Sequence, residues 1–285
     1  MLGSIAGRWL LLAFLWSIQY IFMRVSVPVF GAALTAEWRV LFSAAFLVPW
    51  VILFTREQMG LRAHWRDHVA VALTNNVLPF ALMAWAAGVL PAGYLSIISG
   101  SVPMWGALAS ALFLREPLGA RKVAGLVMGV VGIALIVKLG PVELDLWALL
   151  GTAAAIAAAA LWGWAGVVIK QCSARVPPIG LAAGSVIFAT VMLAPTWASA
   201  PPLAQWTWPA ALAAIALGAL CSGLAYLPFF TLVRDIGPTR ALTVGFAVPI
   251  FGVLWGWIIL DEPVTIPMLV GAALVVAALG LVLKK

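Results

Sequence analysis

Charge is what this sequence lacks most. Only 9% of its 285 residues are Asp, Glu, Lys or Arg, where a soluble domain carries about 25%. A soluble chain of this length has too large a wetted area for so little polar surface, which excludes a soluble enzyme and a disordered chain. Cysteine is nearly absent. Cys172 and Cys221 lie far apart, which excludes a disulfide scaffold and gives no basis for a metal site. Long polar stretches are missing as well. The longest polar connection runs from Thr55 to His68; it leaves no room for a soluble ATP-binding or catalytic appendage, and no glycine-rich phosphate loop occurs. The net charge of +7 comes without a basic stripe and interleaved aromatics, so nucleic acid is not an expected partner. No small-residue cleavage site follows the run from Trp9 to Met23, so that run reads as a first spanning helix rather than a signal peptide.

What is present is apolar. Residues of that kind make up 65% of the chain, and the mean hydropathy is +1.14. A membrane helix needs about 20 apolar residues. Ten runs qualify, near residues 8–26, 34–54, 69–90, 92–114, 121–139, 146–169, 178–198, 208–232, 240–260 and 264–283. The fold class expected is all-α integral membrane. Lys and Arg set the orientation. With the N-terminus inside, Arg8, Arg56, Arg62, Arg66, Arg115, Arg121, Lys122, Lys170, Arg175, Arg234, Arg240, Lys284 and Lys285 fall on the cytoplasmic side, and only Arg24 and Lys138 on the other. Basic residues favour the inner side, so both termini are expected in the cytoplasm.

Shifting the chain by 146 residues lays landmark on landmark. Leu15-Trp16 meets Leu161-Trp162, Arg24 meets Lys170, Pro49 meets Pro195, Pro103 meets Pro249, and Glu116-Pro117 meets Glu262-Pro263. Leu78-Pro79-Phe80 matches Leu227-Pro228-Phe229 after a small local shift. Matched Pro, Trp and Glu-Pro pairs are not cheap in an Ala- and Leu-rich sequence. The repeat divides the chain into residues 1–140 and 146–285, each with five spans. An odd number turns the second unit upside down. The expected architecture is therefore ten transmembrane helices as two inverted five-helix repeats, with a site near the midplane where the halves meet.

Candidate site residues follow from polarity at depth. Arg39 lies inside the second span, where an arginine costs about 2.5–3.5 kcal/mol near the centre. It either snorkels outward, with Glu37, or faces a cavity to gate it or attract a carboxylate. Pro79, Pro103, Pro228 and Pro249 sit inside spans and free the carbonyls of Asn75, Ser99, Leu224 and Gly245; they line a pathway or kink helices for packing. Trp16, Gln19 and Met23 share a helical face. Asn75, Asn76 and Met83 cluster in the third span, and Tyr94, Ser99 and Ser101 in the fourth. Trp162 and Trp164 lie in the sixth, and Ser222, Tyr226 and Phe229 in the eighth. Asn, Gln and Ser also join helices by hydrogen bonds. Trp9, Trp50, Trp197, Trp206, Trp208 and Trp257, near span ends, read as interfacial anchors. Gly125 and Gly129 permit close helix approach, within the chain or in a weak homodimer. Glu116 and Glu262, each before a proline, read as helix-start chemistry. Only Glu37 among the acids approaches the interior, beside Arg39, and no histidine does, so no group stands ready to carry a proton.

The ten spans and five-plus-five repeat, Trp16-Ser17 leading to Arg24, Trp162-Gly163 leading to Lys170, Arg39 within Ala36-Glu37-Trp38-Arg39, and the Pro…Glu-Pro…Gly pattern closing each half resemble EamA-type members of the drug/metabolite transporter superfamily. The likeness is greatest to the bacterial aromatic amino-acid exporters of that group. It implies an inner-membrane exporter with a central cavity lined by spans from both halves. The candidate residues suit an amino acid with an aromatic or bulky apolar side chain. Expected, then, is a secondary transporter, not an enzyme, without catalytic residues, cofactor or metal. Its partners are a small-molecule substrate (an amino acid or related metabolite) and the lipid bilayer, and it works as a monomer or weak homodimer. A broad multidrug or metabolite exporter coupled to protons, or a channel-like membrane protein, is the alternative.

Overall fold

Apolar runs of this kind become helices because lipid offers no partner to a backbone N–H or C=O. The computed structural model describes residues 4–114, 119–139, 145–236 and 241–283, and among them the regular structure is helical throughout. Six helices are long and apolar enough to cross a membrane: Ile5–Thr55, Trp65–Val89, Ala92–Phe113, Leu146–Cys172, Pro178–Ser199 and Trp208–Ile236. The elements are α1 (Ile5–Trp50), α2 (Trp65–Val71), α3 (Leu78–Val89), α4 (Ala92–Ser99), α5 (Val102–Leu114), α6 (Ala120–Leu139), α7 (Leu146–Cys172), α8 (Pro178–Leu193), α9 (Trp208–Gly218), α10 (Ala225–Ile236), α11 (Ala247–Leu260) and α12 (Ile266–Leu283).

The 46 residues of α1 would reach about 69 Å if straight, more than twice the hydrocarbon thickness of a bilayer. They fold back instead. Gly31, at φ 73° and ψ 165°, leaves the helical region, a conformation that glycine adopts without the Cβ penalty. Arg39 Nη2 donates to Gln19 Oε1 at 2.6 Å, although 20 residues of straight helix would separate them by about 30 Å. The arms 5–30 and 32–50 are therefore antiparallel, as expected for the first two apolar runs.

Two long helices widen before a proline. Ala72–Val77 and Ala219–Leu224 are π-helical and lie ahead of Pro79 and Pro228. Such a bulge absorbs the hydrogen bond that a proline removes. At Pro103 the structure corrects the expectation of one kinked helix. The α4 helix stops at Ser99, Gly100 and Ser101 turn, and Pro103 sits at the start of α5, where its missing N–H would have had no partner anyway. Pro249 likewise falls in the first turn of α11, after a 3-10 turn at Leu242–Phe246.

The contacts between the halves exchange partners. Arg39 Nε donates to Ser222 Oγ at 2.8 Å, and Asn76 Nδ2 donates to Ser185 Oγ at 3.2 Å; a shift of 146 turns one pair into the other. A Cβ on Gly245 would stand 3.1 Å from Pro103 Cγ, and one on Gly100 2.6 Å from Pro249 Cγ, an exchange one residue out of the 146 register. Gly252 packs against Ser96, and Gly106 against Leu242.

Of the GxxxG pair, Gly129 packs within the chain against Met104 of α5, and Gly132, one turn on, lies against Gly271 and Leu274 of α12. The Glu262 carboxylate accepts from Ala92 N at 2.7 Å and Gly93 N at 3.0 Å. It thus caps α4 rather than a helix of its own. Glu116 lies outside the described residues.

Candidate functional site

Where the two halves meet, the helices leave a partly open cavity of about 70 Å3. From the first half come Trp16, Gln19 and Tyr20 on one arm of α1 and Arg39 on the other. Asn75 projects from the π-helical turn, Phe80 from α3, Ser99 from the end of α4, and Val102 and Pro103 from the start of α5. From the second half come Trp162, Tyr226, Phe229, Leu242, Val244, Gly245 and Val248. The break at Pro103, the π-helical turn at Asn75 and the 3-10 turn from Leu242 to Gly245 lie on the cavity wall, where irregular backbone at membrane depth is tolerated, while Pro79, Pro228 and Pro249 are not among its lining residues.

Arg39 organises the polar side. Its residue is 3% exposed, so the snorkelling reading does not hold. Nε is held by Ser222 and Nη2 by Gln19. Gln19 Nε2 in turn donates to Trp16 O at 2.8 Å, which fixes the amide. The guanidinium lies 3.7 Å above the centre of the Phe80 ring, close enough for a cation–π contact. Nη1 has no hydrogen-bond partner although it is buried. An unpaired donor on a buried cation costs more than an ordinary unmade hydrogen bond, and this nitrogen is left unsatisfied.

A second network faces Arg39 from α10 and the π-helical turn. Tyr226 Oη donates to Asn76 Oδ1 at 2.6 Å and accepts from Asn75 Nδ2 at 2.9 Å. Trp162 Nε1 donates to Asn75 O at 3.1 Å; this is the carbonyl that Pro79 frees. The indole is therefore pinned by the consequence of a proline on another helix. Trp16 packs on Phe229 with ring centres 4.9 Å apart, and Phe80 meets Trp162 edge-on at 6.2 Å. Apolar rings form most of the remaining wall.

Of the candidates read from sequence, Trp16, Gln19, Arg39, Asn75, Ser99, Pro103, Trp162, Tyr226 and Phe229 line this space. Asn76 and Ser222 stand one layer behind and hold Tyr226 and Arg39. Met23, Met83 and Tyr94 belong instead to the buried apolar core between α1, α3 and α4. Ser101 Oγ is used locally, donating to Ile98 O and accepting from Trp105 Nε1. Trp164 is 38% exposed and stacks on Phe113 at 5.6 Å, on the outer surface. Glu37 is not beside Arg39 at an outer edge. It is 1% exposed with Oε2 unpartnered, and among the described residues no ion pair joins it to Arg39. Trp197 and Trp206, read as interfacial anchors, also pack on Trp38. Tyr20, Phe80, Val102, Leu242, Val244 and Val248 were missed from sequence, whereas Gly245 is legible there through the carbonyl that Pro249 frees. Tyr20 carried a signal, being a tyrosine one turn from Trp16; the apolar residues carried none.

A model of the EamA-like transporter family matches the chain twice, over residues 3–138 and 149–284, with the two matches offset by 146 residues. Among curated relatives, the uncharacterized transporter YvbV of Bacillus subtilis is 28% identical over 281 residues, covering 97% of this chain and 91% of that protein. Protein PagO of Salmonella typhimurium is 23% identical over 294 residues, covering 98% and 94%. A solved crystal structure superposes with a TM-score of 0.72 at 21% identity, covering 98% of this chain and 96% of that one; the likeness is one of fold.

Proposed function

We propose that this chain, which belongs to the EamA-like transporter family and is a multi-pass membrane transporter, exports amino acids with aromatic or bulky apolar side chains by alternating access. The observation that carries the reading is the buried Arg39, with one guanidinium nitrogen unpartnered, on the wall of a cavity otherwise built largely from rings and aliphatic side chains. The cation receives the carboxylate, and Trp16, Trp162, Phe80 and Phe229 receive the side chain.

The protein works, in this reading, as ten helices in two inverted repeats, residues 1–140 and 146–285, in the bacterial inner membrane with both termini cytoplasmic. The exchanged contacts support it, because a two-fold axis makes residue i touch j′ wherever i′ touches j. The offset of the two family matches supports the same period. Rocking one repeat against the other about Arg39 and the Pro103–Gly245 and Pro249–Gly100 contacts would open the cavity to either side in turn.

Substrate's own gradient is the driving force proposed, since among the described residues no acid or histidine lines the cavity. One observation favours a second reading: Glu37 is buried with an unpartnered oxygen, a place where a proton could be carried. Liposomes containing the purified protein separate the two. Saturable, stereoselective exchange of phenylalanine or tryptophan, with no uphill accumulation under an imposed pH gradient, is the expected result. Accumulation driven by the pH gradient alone and lost in Glu37→Gln would replace the facilitator with proton coupling. Exchange of cationic drugs with no response to amino acids would replace the substrate class.

A further inference from the structure

Resting on that reading of the Arg39 cavity, we infer that the site recognises a carboxylate and an aromatic or bulky apolar body and makes no demand for an ammonium group. Aromatic monocarboxylates lacking an amine are then substrates of the same class as the amino acids.

The inference comes from counting donors against acceptors. Arg39 Nη1 is a buried donor with nothing to donate to. Three of the acceptors on this wall are already engaged by the protein's own donors. Gln19 Oε1 takes Arg39 Nη2. The freed carbonyl of Asn75 takes the Trp162 indole. Tyr226 Oη takes the Asn75 amide and points its proton at Asn76 Oδ1. Ser99 Oγ and Tyr20 Oη, both on the wall, are hydroxyls that serve either role. Among the described residues that line the space there is no Asp or Glu to offset a second positive charge. An α-ammonium sits on the carbon next to the carboxylate. It would come close to the guanidinium in surroundings of low dielectric, where like charges repel more strongly than in water. The site gains from the carboxylate and the ring and gains little from the amine.

The test is a thermal-shift titration of the purified full-length protein with four probes of one shape: L-phenylalanine, 3-phenylpropionate, phenethylamine and phenylalaninamide. The expected result is that 3-phenylpropionate stabilises at concentrations no higher than phenylalanine does, and that the amine and the amide give no shift. Arg39→Gln should abolish both carboxylate responses and Arg39→Lys restore part of them, with the unliganded melting transition reporting whether each variant folds. The wild-type probe series decides the matter without the variants. If phenethylamine or phenylalaninamide matches phenylalanine, or 3-phenylpropionate binds about tenfold or more weakly than phenylalanine, the inference is overturned while the amino-acid reading stands. If 3-phenylpropionate binds and phenylalanine does not, the inference stands and the amino-acid reading falls. A shift from neither carboxylate overturns both.

Discussion

Replacing Arg39 by alanine is expected to reduce exchange about 100-fold or more while leaving the protein inserted in the membrane. Truncating one partner of a buried, hydrogen-bonded charge pair costs on the order of 2–5 kcal/mol, and every 1.4 kcal/mol is a factor of ten in affinity. The loss here has two sources. The substrate carboxylate is left without its cation, and Gln19 Oε1 and Ser222 Oγ, which Arg39 now satisfies, lose their donor. Arg39→Lys should recover only part of the activity. An ammonium is a point charge that cannot hold Ser222 and Gln19 and still present a planar pair of donors to a carboxylate. Ser222→Ala separates the contributions: it keeps the charge, frees Nε, and is expected to weaken binding less than either change at Arg39. The measurement is counterflow in liposomes at matched protein content. Undiminished exchange by well-inserted Arg39→Ala would remove the guanidinium from the site.

The second large effect is expected at Trp162, and its control is two residues away. Trp162→Ala removes a ring from the cavity, worth about 0.5–1.5 kcal/mol beyond its buried area. It also removes the hydrogen bond from Trp162 Nε1 to the Asn75 carbonyl, worth about 0.5–1.5 kcal/mol. Apparent affinity and melting temperature should both fall. Trp162→Phe keeps a ring and loses only the bond to Asn75, so it should cost stability more than affinity. Trp164→Ala acts on a surface indole that stacks on Phe113, and a surface change of this kind usually stays within about 0.5 kcal/mol. Equal effects at the two positions would mean that Trp162 does not face the substrate.

This pair also shows what sequence alone could and could not convey. Trp162 and Trp164 look alike in a hydropathy plot, and two residues of helix turn them roughly 200° apart, but nothing in the pattern says which side is lipid. Arg39 was legible because a charge inside an apolar run is costly and must be accounted for. Asn75 was legible through Pro79, since the proline frees a specific carbonyl, although its donor, Trp162, could not be foreseen. Met23 and Met83 share helical faces with cavity residues yet lie farther along the helix, against Tyr94 and the core. Periodicity gives a direction around a helix, but the depth at which a neighbouring helix closes over it is a tertiary matter. The turn at Gly100 and Ser101 was read as continuous helix because neither residue interrupts the hydropathy. Phe80, Leu242, Val244 and Val248 escaped because an apolar residue facing a cavity looks the same in sequence as one facing a neighbouring helix.

Under the proposed alternating access, one wall of this cavity would be reachable from both sides of the membrane in turn. Val102 lies on that wall, and cysteine is close to valine in size. Val102→Cys, in a chain whose buried Cys172 and Cys221 are replaced by alanine, can be titrated with a membrane-impermeant maleimide in right-side-out and in inverted vesicles. The account predicts labelling from both sides, slowed in each case by saturating phenylalanine and not slowed in Arg39→Gln. Labelling from one side only, at a rate that substrate does not change, would contradict it.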